Sequence, residues 1–397
     1  MVFVSAGYER ESLAVSANRS CVLLDASMVR SGGGHTHITN VLPELCKVAP
    51  DLDFVLMASS AHWKESFDSF PNLKLHSVTE GSMWNRYFYL LSKASRVAKA
   101  HNADLYFSVA EYTPPSLPCP AIASFRNPNV FTRLRQGWGI KQKVRLGFLR
   151  RLAKASARRC ARILFVSHDS ANWIGAGIGL PLEKRVVIHH GIDATRFSSL
   201  SAVQERAGVG VLSVSSVYRY KNFVRLIEAW HLWVERAGSA NVPDLTIIGD
   251  GQDPWYLKQM QRAIDATAEE SSRIHFLGAV PYSEVPSYYA AASLFVFPSY
   301  LETFGHPLVE AMASDLPVVA ADIPVFREIA GDSALYADPY DVEALSQAME
   351  SGLVEGGDAA VRMKNARRRV SELSWNVNAR RLADLFREVI SEARHAS

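Results

Sequence analysis

Apolar residues fall along this chain in short runs separated by stretches with helical spacing. Cys21-Val22-Leu23-Leu24-Asp25, Phe54-Val55-Leu56-Met57, Leu105-Tyr106-Phe107 and Ile163-Leu164-Phe165-Val166 are too short for helices and read as buried strands. A helical pattern sets in after the first run, from about Thr39. The alternation restarts in the second half with Val211-Leu212-Ser213-Val214, Leu245-Thr246-Ile247-Ile248, Ile274-His275-Phe276-Leu277, Leu294-Phe295-Val296-Phe297 and Val318-Val319-Ala320. Strands alternating with helices imply parallel sheets, and two such sets imply two doubly wound α/β domains. The pattern places them at residues 21–195 and 208–374, joined near 194–207. Trp375, Ala379, Leu382, Phe386 and Val389 keep helical spacing behind a Ser374 cap, which predicts a final helical segment over 375–397. Residues 1–20 show no periodicity and are expected to be a loose arm.

A length of 397 residues suits two domains rather than one core. Hydrophobic residues at 48% with 21% charged is a globular composition. No apolar run approaches the ~20 residues of a membrane span. The first residues lack the basic leader and long apolar core of a secretory signal, so a cytoplasmic location is expected. Cys21, Cys46, Cys119 and Cys160 are widely spaced, as suits reduced thiols better than disulfides or zinc. The net charge of +3 hides an asymmetry: no acid lies between Glu111 and Asp169, where Arg126, Arg133, Arg135, Lys141, Lys143, Arg145, Arg150, Arg151, Lys154, Arg158, Arg159 and Arg162 fall. Trp138, Ile140, Val144, Phe148 and Leu152 interleave with them at near-helical spacing, which predicts a basic amphipathic surface suited to an anionic membrane face. No nucleic-acid-binding motif accompanies the charge, and nucleic acid is not expected as a partner.

The chemistry concentrates in Glu302-Thr303-Phe304-Gly305-His306-Pro307-Leu308-Val309-Glu310. Glu302 belongs to the loop leaving a buried strand and Glu310 to the helix that Pro307 opens, so both carboxylates are expected to face one crevice at the sheet's carboxyl edge. Carboxylates accept hydrogen bonds from sugar or ribose hydroxyls. Gly305 admits close backbone approach, and free N–H groups of His306 and Leu308 would suit a phosphate. The ligand implied is both phosphorylated and polyhydroxylated.

This segment resembles the double-glutamate motif of the family 4 glycosyltransferases, retaining enzymes of the GT-B fold, and the likeness continues through Ala311 to Ala320. Val187-Ile188-His189-His190-Gly191-Ile192-Asp193, Tyr220-Lys221-Asn222, Ile248-Gly249-Asp250-Gly251, Phe276-Leu277-Gly278 and Ser374-Trp375 match in the family's order. The resemblance implies two Rossmann-like domains across a cleft, with the last helix crossing back to the first domain. It implies transfer of a sugar, as by a hexosyl- or mannosyltransferase, from a nucleotide-diphosphate sugar to a glycan or lipid-linked acceptor, without cofactor or metal. Glu310 would hold the ribose, Glu302, with Thr303 and Phe304 beside it, the sugar hydroxyls, Lys221 the diphosphate, and Leu277 and Gly278 the base. Members often carry an arginine where this chain has Ser216, so Arg219 is the candidate substitute. Ser31-Gly32-Gly33-Gly34-His35 resembles the family's glycine-rich loop; Gly33 and Gly34 would lie under the phosphates and His35 beside phosphate or acceptor, with His37 belonging to the following helix. Arg126 and Asn127 stand where relatives often carry a His-Asp pair near the reacting sugar. His168 fits a helix start better than the cleft. Asp51-Leu52-Asp53 resembles a metal-binding motif of another glycosyltransferase fold but lies far from the donor motifs. A GT-B nucleotide-sugar epimerase and a non-catalytic nucleotide-sugar-binding subunit are the alternatives.

Overall fold

The computed structural model describes residues 19–29, 33–59, 69–78, 83–132, 139–201, 209–267 and 270–396. The first sheet comprises β1 (Ser20–Asp25), β2 (Leu52–Ala58), β3 (Leu73–Ser77), β4 (Leu105–Ser108), β5 (Ala121–Phe125), β6 (Arg162–Phe165) and β7 (Arg185–Val187). They lie in the order β3-β2-β1-β4-β5-β6-β7, and every pairing is parallel. The second sheet holds β8 (Val209–Val214), β9 (Leu245–Ile248), β10 (Ile274–Gly278), β11 (Ala292–Phe297), β12 (Val318–Ala321) and β13 (Leu335–Ala337) in the order β10-β9-β8-β11-β12-β13, again all parallel.

Helices cover both faces of each sheet, which is why the central strands are apolar at consecutive positions rather than alternate ones. Leu24 and Phe107 fill one face of the first sheet while Leu23 and Tyr106 fill the other; Leu212 and Phe295 face away from Val211 and Val296 in the second. In each sheet the chain reverses its direction of winding between two neighbours, β1 and β4 in one and β8 and β11 in the other. Loops leave the carboxyl ends of these strands on diverging paths and open a crevice there.

The helix Trp375–His395 buries Ala379, Leu382, Phe386 and Val389 in the first domain's core, as expected of a crossing helix, and the Ser374 hydroxyl caps it by accepting from Val377 N at 3.2 Å. Where this return path passes the outgoing one, a Cβ on Gly191 would stand 2.4 Å from the Trp375 nitrogen, so no larger residue fits without moving the crossing.

Several expectations change. Ser20 already belongs to β1, so the proposed arm would end earlier, and residues 1–18 of it lie outside the described residues. The first helix starts at Gly33 rather than near Thr39. The expected joint contains the helix Ala194–Ser201, whose Phe197 is buried in the second domain's core. All four cysteines are free thiols, with Cys46 and Cys160 buried and Cys21 and Cys119 partly so. Among the described residues no helix is long and apolar enough to cross a membrane.

Candidate active site

A cleft of about 460 Å³ lies between the domains at the carboxyl ends of both sheets. Gly34, Glu111, Arg126 and Asn127 line it from the first domain; Lys221, Glu302, Thr303, Gly305 and His306 line it from the second. Thr303 ties the two together, since its hydroxyl donates to the Arg126 carbonyl at 2.8 Å and its own carbonyl accepts from Ser167 Oγ at 2.7 Å.

Lys221 follows β8 in a short turn that Asn222 ends in a left-handed conformation, φ 65°. The Asn222 amide donates to the carbonyls of Pro298 and Pro339, at 3.1 and 2.6 Å, and so fixes the lysine's backbone to the loops after β11 and β13. The Lys221 ammonium is buried and ion-paired with Glu302, also buried, and lies near the rings of Tyr220 and Phe297. The two residues expected to take phosphate and sugar separately therefore hold each other.

Arg126 leaves β5 half-buried. One guanidinium nitrogen donates to the Val109 carbonyl, and Nη1 has no partner among the described residues. Burial lowers its pKa to about 10, opposed by the nearby Glu111 carboxylate, so it stays cationic at neutral pH. Glu111 Oε1 accepts from the amides of Arg126 and Asn127, at 3.2 and 2.9 Å, and burial raises its pKa against those bonds. Sequence reasoning passed over Glu111; its one signal was position, as the last acid before the long basic stretch.

The double-glutamate segment differs from expectation in two respects. Gly305 adopts φ 92°, where a Cβ would also meet Phe326 at 2.9 Å, and starts the helix His306–Ala313. Its carbonyl accepts from Leu308 N at 3.0 Å, so the Leu308 amide is not open to a phosphate and His306 supplies the amide at the helix start. Glu310 does not line the cleft beside Glu302. Its carboxylate is buried and accepts from Tyr282 at 2.9 Å and Tyr289 at 3.0 Å, and burial raises its pKa more than those bonds lower it. Phe304 is buried among core residues and also lines the cleft. Leu277 is exposed and Gly278 accepts from Gly249 N at 2.9 Å, at the end of β10 and clear of the cleft lining.

Arg219 does not line the cleft that holds Lys221. Its guanidinium pairs with Asp253 at 2.7 Å, stacks on Trp255 at 4.3 Å, and belongs to a neighbouring cleft. His35 lies 3.4 Å from the Thr39 hydroxyl on the first helix, which Gly33 opens, and is absent from the cleft lining; Ser31 and Gly32 fall outside the described residues. His168 opens the helix His168–Ile178 and is exposed. Asp51 pairs with Arg387 and Asp53 with Arg19, which leaves that pair of acids committed to salt bridges.

A histidine stack that the sequence did not announce forms the cleft's inner wall. His306 stacks on His190, with ring centres 4.8 Å apart, and His190 Nδ1 meets His37 Nδ1 at 3.2 Å. Burial lowers all three pKa values, His306 to about 4.

Comparison with known proteins bears on this geometry. The family described as "Glycosyl transferases group 1" matches residues 207–370, and "Glycosyltransferase Family 4" matches 31–196. The chain is 30% identical over 219 residues to the O-antigen chain mannosyltransferase RfbU of Salmonella typhimurium, covering 55% of this chain and 58% of that protein. The chain thus spans little more than half the length of that relative. Sucrose-phosphate synthase from Thermosynechococcus elongatus superposes with a TM-score of 0.70 at 17% identity, covering 94% of this chain and all of that one. Anabaena HepE in complex with UDP and glucose gives 0.68 at 18%, covering 92% and 99%. These likenesses identify the two-domain arrangement as the GT-B fold.

Proposed function

The chain belongs to the family 4 glycosyltransferases of the group 1 type, and from that premise we propose that it transfers a sugar from a nucleoside diphosphate to an acceptor hydroxyl with retention of configuration. The observation that carries this reading is the convergence of Lys221, Arg126, Glu302 and the His306 helix start on one cleft between facing sheet edges. In the reading, Lys221, Arg126 and the His306 amide stabilise the diphosphate as it gains charge on leaving. Gly33 and Gly34 give it backbone clearance. Glu302, released when Lys221 turns to the phosphate, accepts from the sugar's hydroxyls. Ribose hydroxyls displace the Tyr282 hydroxyl from Glu310, and the Leu277–Gly278 end of β10, near Tyr282 in sequence, borders the base.

The sugar–phosphate bond breaks as the acceptor oxygen bonds to the same carbon from the same face, and the acceptor's proton passes to the departing phosphate oxygen. Positioning and fixed charge supply the rate enhancement, with no covalent nucleophile and no metal required. The mannosyltransferase name of the relative favours a mannosyl donor. A lipid-linked glycan acceptor at an anionic membrane fits the helix Ile140–Arg159, which exposes Ile140, Val144 and Phe148 beside Lys141 and Lys143.

The test is thermal stabilisation by GDP-, UDP-, ADP- and dTDP-sugars, followed by donor consumption with and without a glycan acceptor. A ligand at 100 times its dissociation constant stabilises by ~2.7 kcal/mol. Nucleoside diphosphate released only with acceptor supports transfer. Free or epimerised sugar without acceptor indicates the epimerase, and binding without consumption the non-catalytic subunit.

A further inference from the structure

Both carboxylate oxygens of Glu310 accept from phenols, and the two phenols are held very differently. Tyr289, on the helix Val285–Ala291, is wholly buried in the second domain's core; its hydroxyl donates to Oε2 at 3.0 Å and lies 3.3 Å from the Pro307 carbonyl. Tyr282 is 41% exposed and sits in the turn before that helix, among exposed Pro281, Ser283 and Glu284. Its hydroxyl donates to Oε1 at 2.9 Å. The Tyr289 bond is part of the core, whereas the Tyr282 bond is made by a side chain that solvent already reaches, and it can give way without unpacking the fold.

Two contacts keep Tyr282 in place. Arg196, on the helix Ala194–Ser201, lays its guanidinium over the Tyr282 ring at 4.3 Å and donates through Nη2 to the Tyr282 carbonyl at 3.0 Å. Burial, and after it the Glu310 carboxylate, pushes the phenol's pKa up, so the hydroxyl keeps its proton and remains a donor at neutral pH. The nucleoside end of the donor cleft is thereby closed. The cleft lining stops at His306 and Pro307, while Glu310, one turn further along the same helix, is 5% exposed.

A count of hydrogen bonds shows what would open it. An ionised carboxylate oxygen has room for two donors, and Oε1 holds one, the Tyr282 hydroxyl. A pentose with a single hydroxyl in reach trades the phenol's bond for its own and gains nothing. A vicinal diol replaces the phenol and adds a second bond to the same charged group, where each bond is stronger than one between neutral partners.

We propose that Tyr282 is a specificity gate that makes one pentose hydroxyl insufficient, so that the protein takes ribonucleoside diphosphate sugars and rejects 2′-deoxyribonucleotide donors such as dTDP-sugars. The inference rests on the transferase reading above, in which Glu310 holds the ribose. It adds the class of nucleotide accepted and the side chain that decides it.

Calorimetry on the full chain tests it, with UDP, GDP, 2′-deoxy-UDP and 2′-deoxy-GDP as probes and inorganic pyrophosphate, which carries no pentose, beside them. Tyr282→Phe deletes the hydroxyl and keeps a ring under Arg196, so the variant should fold. The wild-type protein is expected to bind at least one ribonucleotide about tenfold or more tightly than its 2′-deoxy form. In Tyr282→Phe both forms should bind about tenfold more tightly while pyrophosphate affinity stays the same, because the pentose alone meets Glu310. Equal affinity of the wild type for the ribo and deoxy forms, or nucleotide affinities that Tyr282→Phe leaves unchanged or weakens, would overturn the gate and leave the transferase reading standing. Pyrophosphate binding tightened by the same factor would place the effect of Tyr282 on the phosphates and overturn the gate as well. Binding of none of the nucleotides to either protein would sink the gate and the transferase reading together.

Discussion

Lys221 and Glu302 are each nearly buried, and each is the other's counter-ion. A diphosphate arriving at Lys221 must therefore compete with Glu302, an arrangement that keeps the lysine from being an unpaired buried charge before donor binds. Glu302→Gln removes the competitor while keeping the shape. Calorimetry should then show nucleoside diphosphate binding about tenfold tighter, ~1.4 kcal/mol, while turnover with the full donor falls because the sugar loses its acceptor carboxylate. Weaker nucleotide binding in that variant would mean that the pair does not open on donor binding. Lys221→Met should lower turnover roughly a hundredfold, ~3 kcal/mol, and destabilise the fold by stranding Glu302. Combining Lys221→Met with Glu302→Gln should restore the melting temperature but not the turnover, and this separates the electrostatic role from the structural one. The residue types of this site were legible in the sequence because spacing brings them to strand ends. Their pairing was not, since it depends on side-chain reach across two loops.

At the level of elements, the strands with four or more consecutive apolar residues were readable because helices bury both sheet faces. The three-residue strands β7 and β13 carry too little pattern to register. The sequence pattern starts the first helix late because Gly33 and Gly34 have low helix propensity, and burial of Ile38, Val41, Leu42 and Leu45 overrides it. Glu111 sits in a loop without periodicity, and only the fold brings it under the Arg126 and Asn127 amides. The basic helix shows the reverse: Ile140, Val144 and Phe148 were expected on an amphipathic surface and are exposed, while Leu146, Leu149, Ala153 and Ala157 anchor the other side. Leu152 is half-buried instead, and Trp138 lies outside the described residues. If the outer face meets an anionic membrane, the protein should bind phosphatidylglycerol vesicles at low salt and leave them as the Debye length shortens from ~10 Å at 0.1 M to ~3 Å at 1 M. Reversing Lys141, Lys143 and Lys154 to glutamate, all exposed and none lining either cleft, should abolish vesicle binding and leave activity on a soluble acceptor intact. Equal binding to neutral and anionic vesicles would remove the electrostatic argument.

For the whole molecule, the histidine stack joins parts that the chain brings from four places: His37 on the first helix, His190 on the crossing between domains, His306 at the donor cleft, and Trp375 at the start of the returning helix, its ring centre 5.7 to 6.2 Å from those of the three histidines. Arg126, His189 and the histidines themselves are the charged or titratable neighbours that oppose protonation there, after burial. In the folded state these imidazoles resist protonation; in the unfolded state they protonate near pH 6.5. Below that pH the unfolded chain binds more protons, so stability falls as pH falls. The loss should be absent above about pH 7, begin near 6.5 and continue to about 4, where His306 itself titrates, with His306 alone accounting for roughly 3 kcal/mol. Melting temperatures measured from pH 7.5 to 5 should therefore decline, and His306→Phe, which keeps a flat ring against His190, should make the decline shallower. Asp169 works in the opposite sense, since its pKa is raised to about 6 by burial and by Glu328, as do Asp25, Glu111 and Glu310; all four are common to both proteins, so the difference in slope reports His306. A decline of the same slope in the His306→Phe protein would show that the domain junction is not where acid acts.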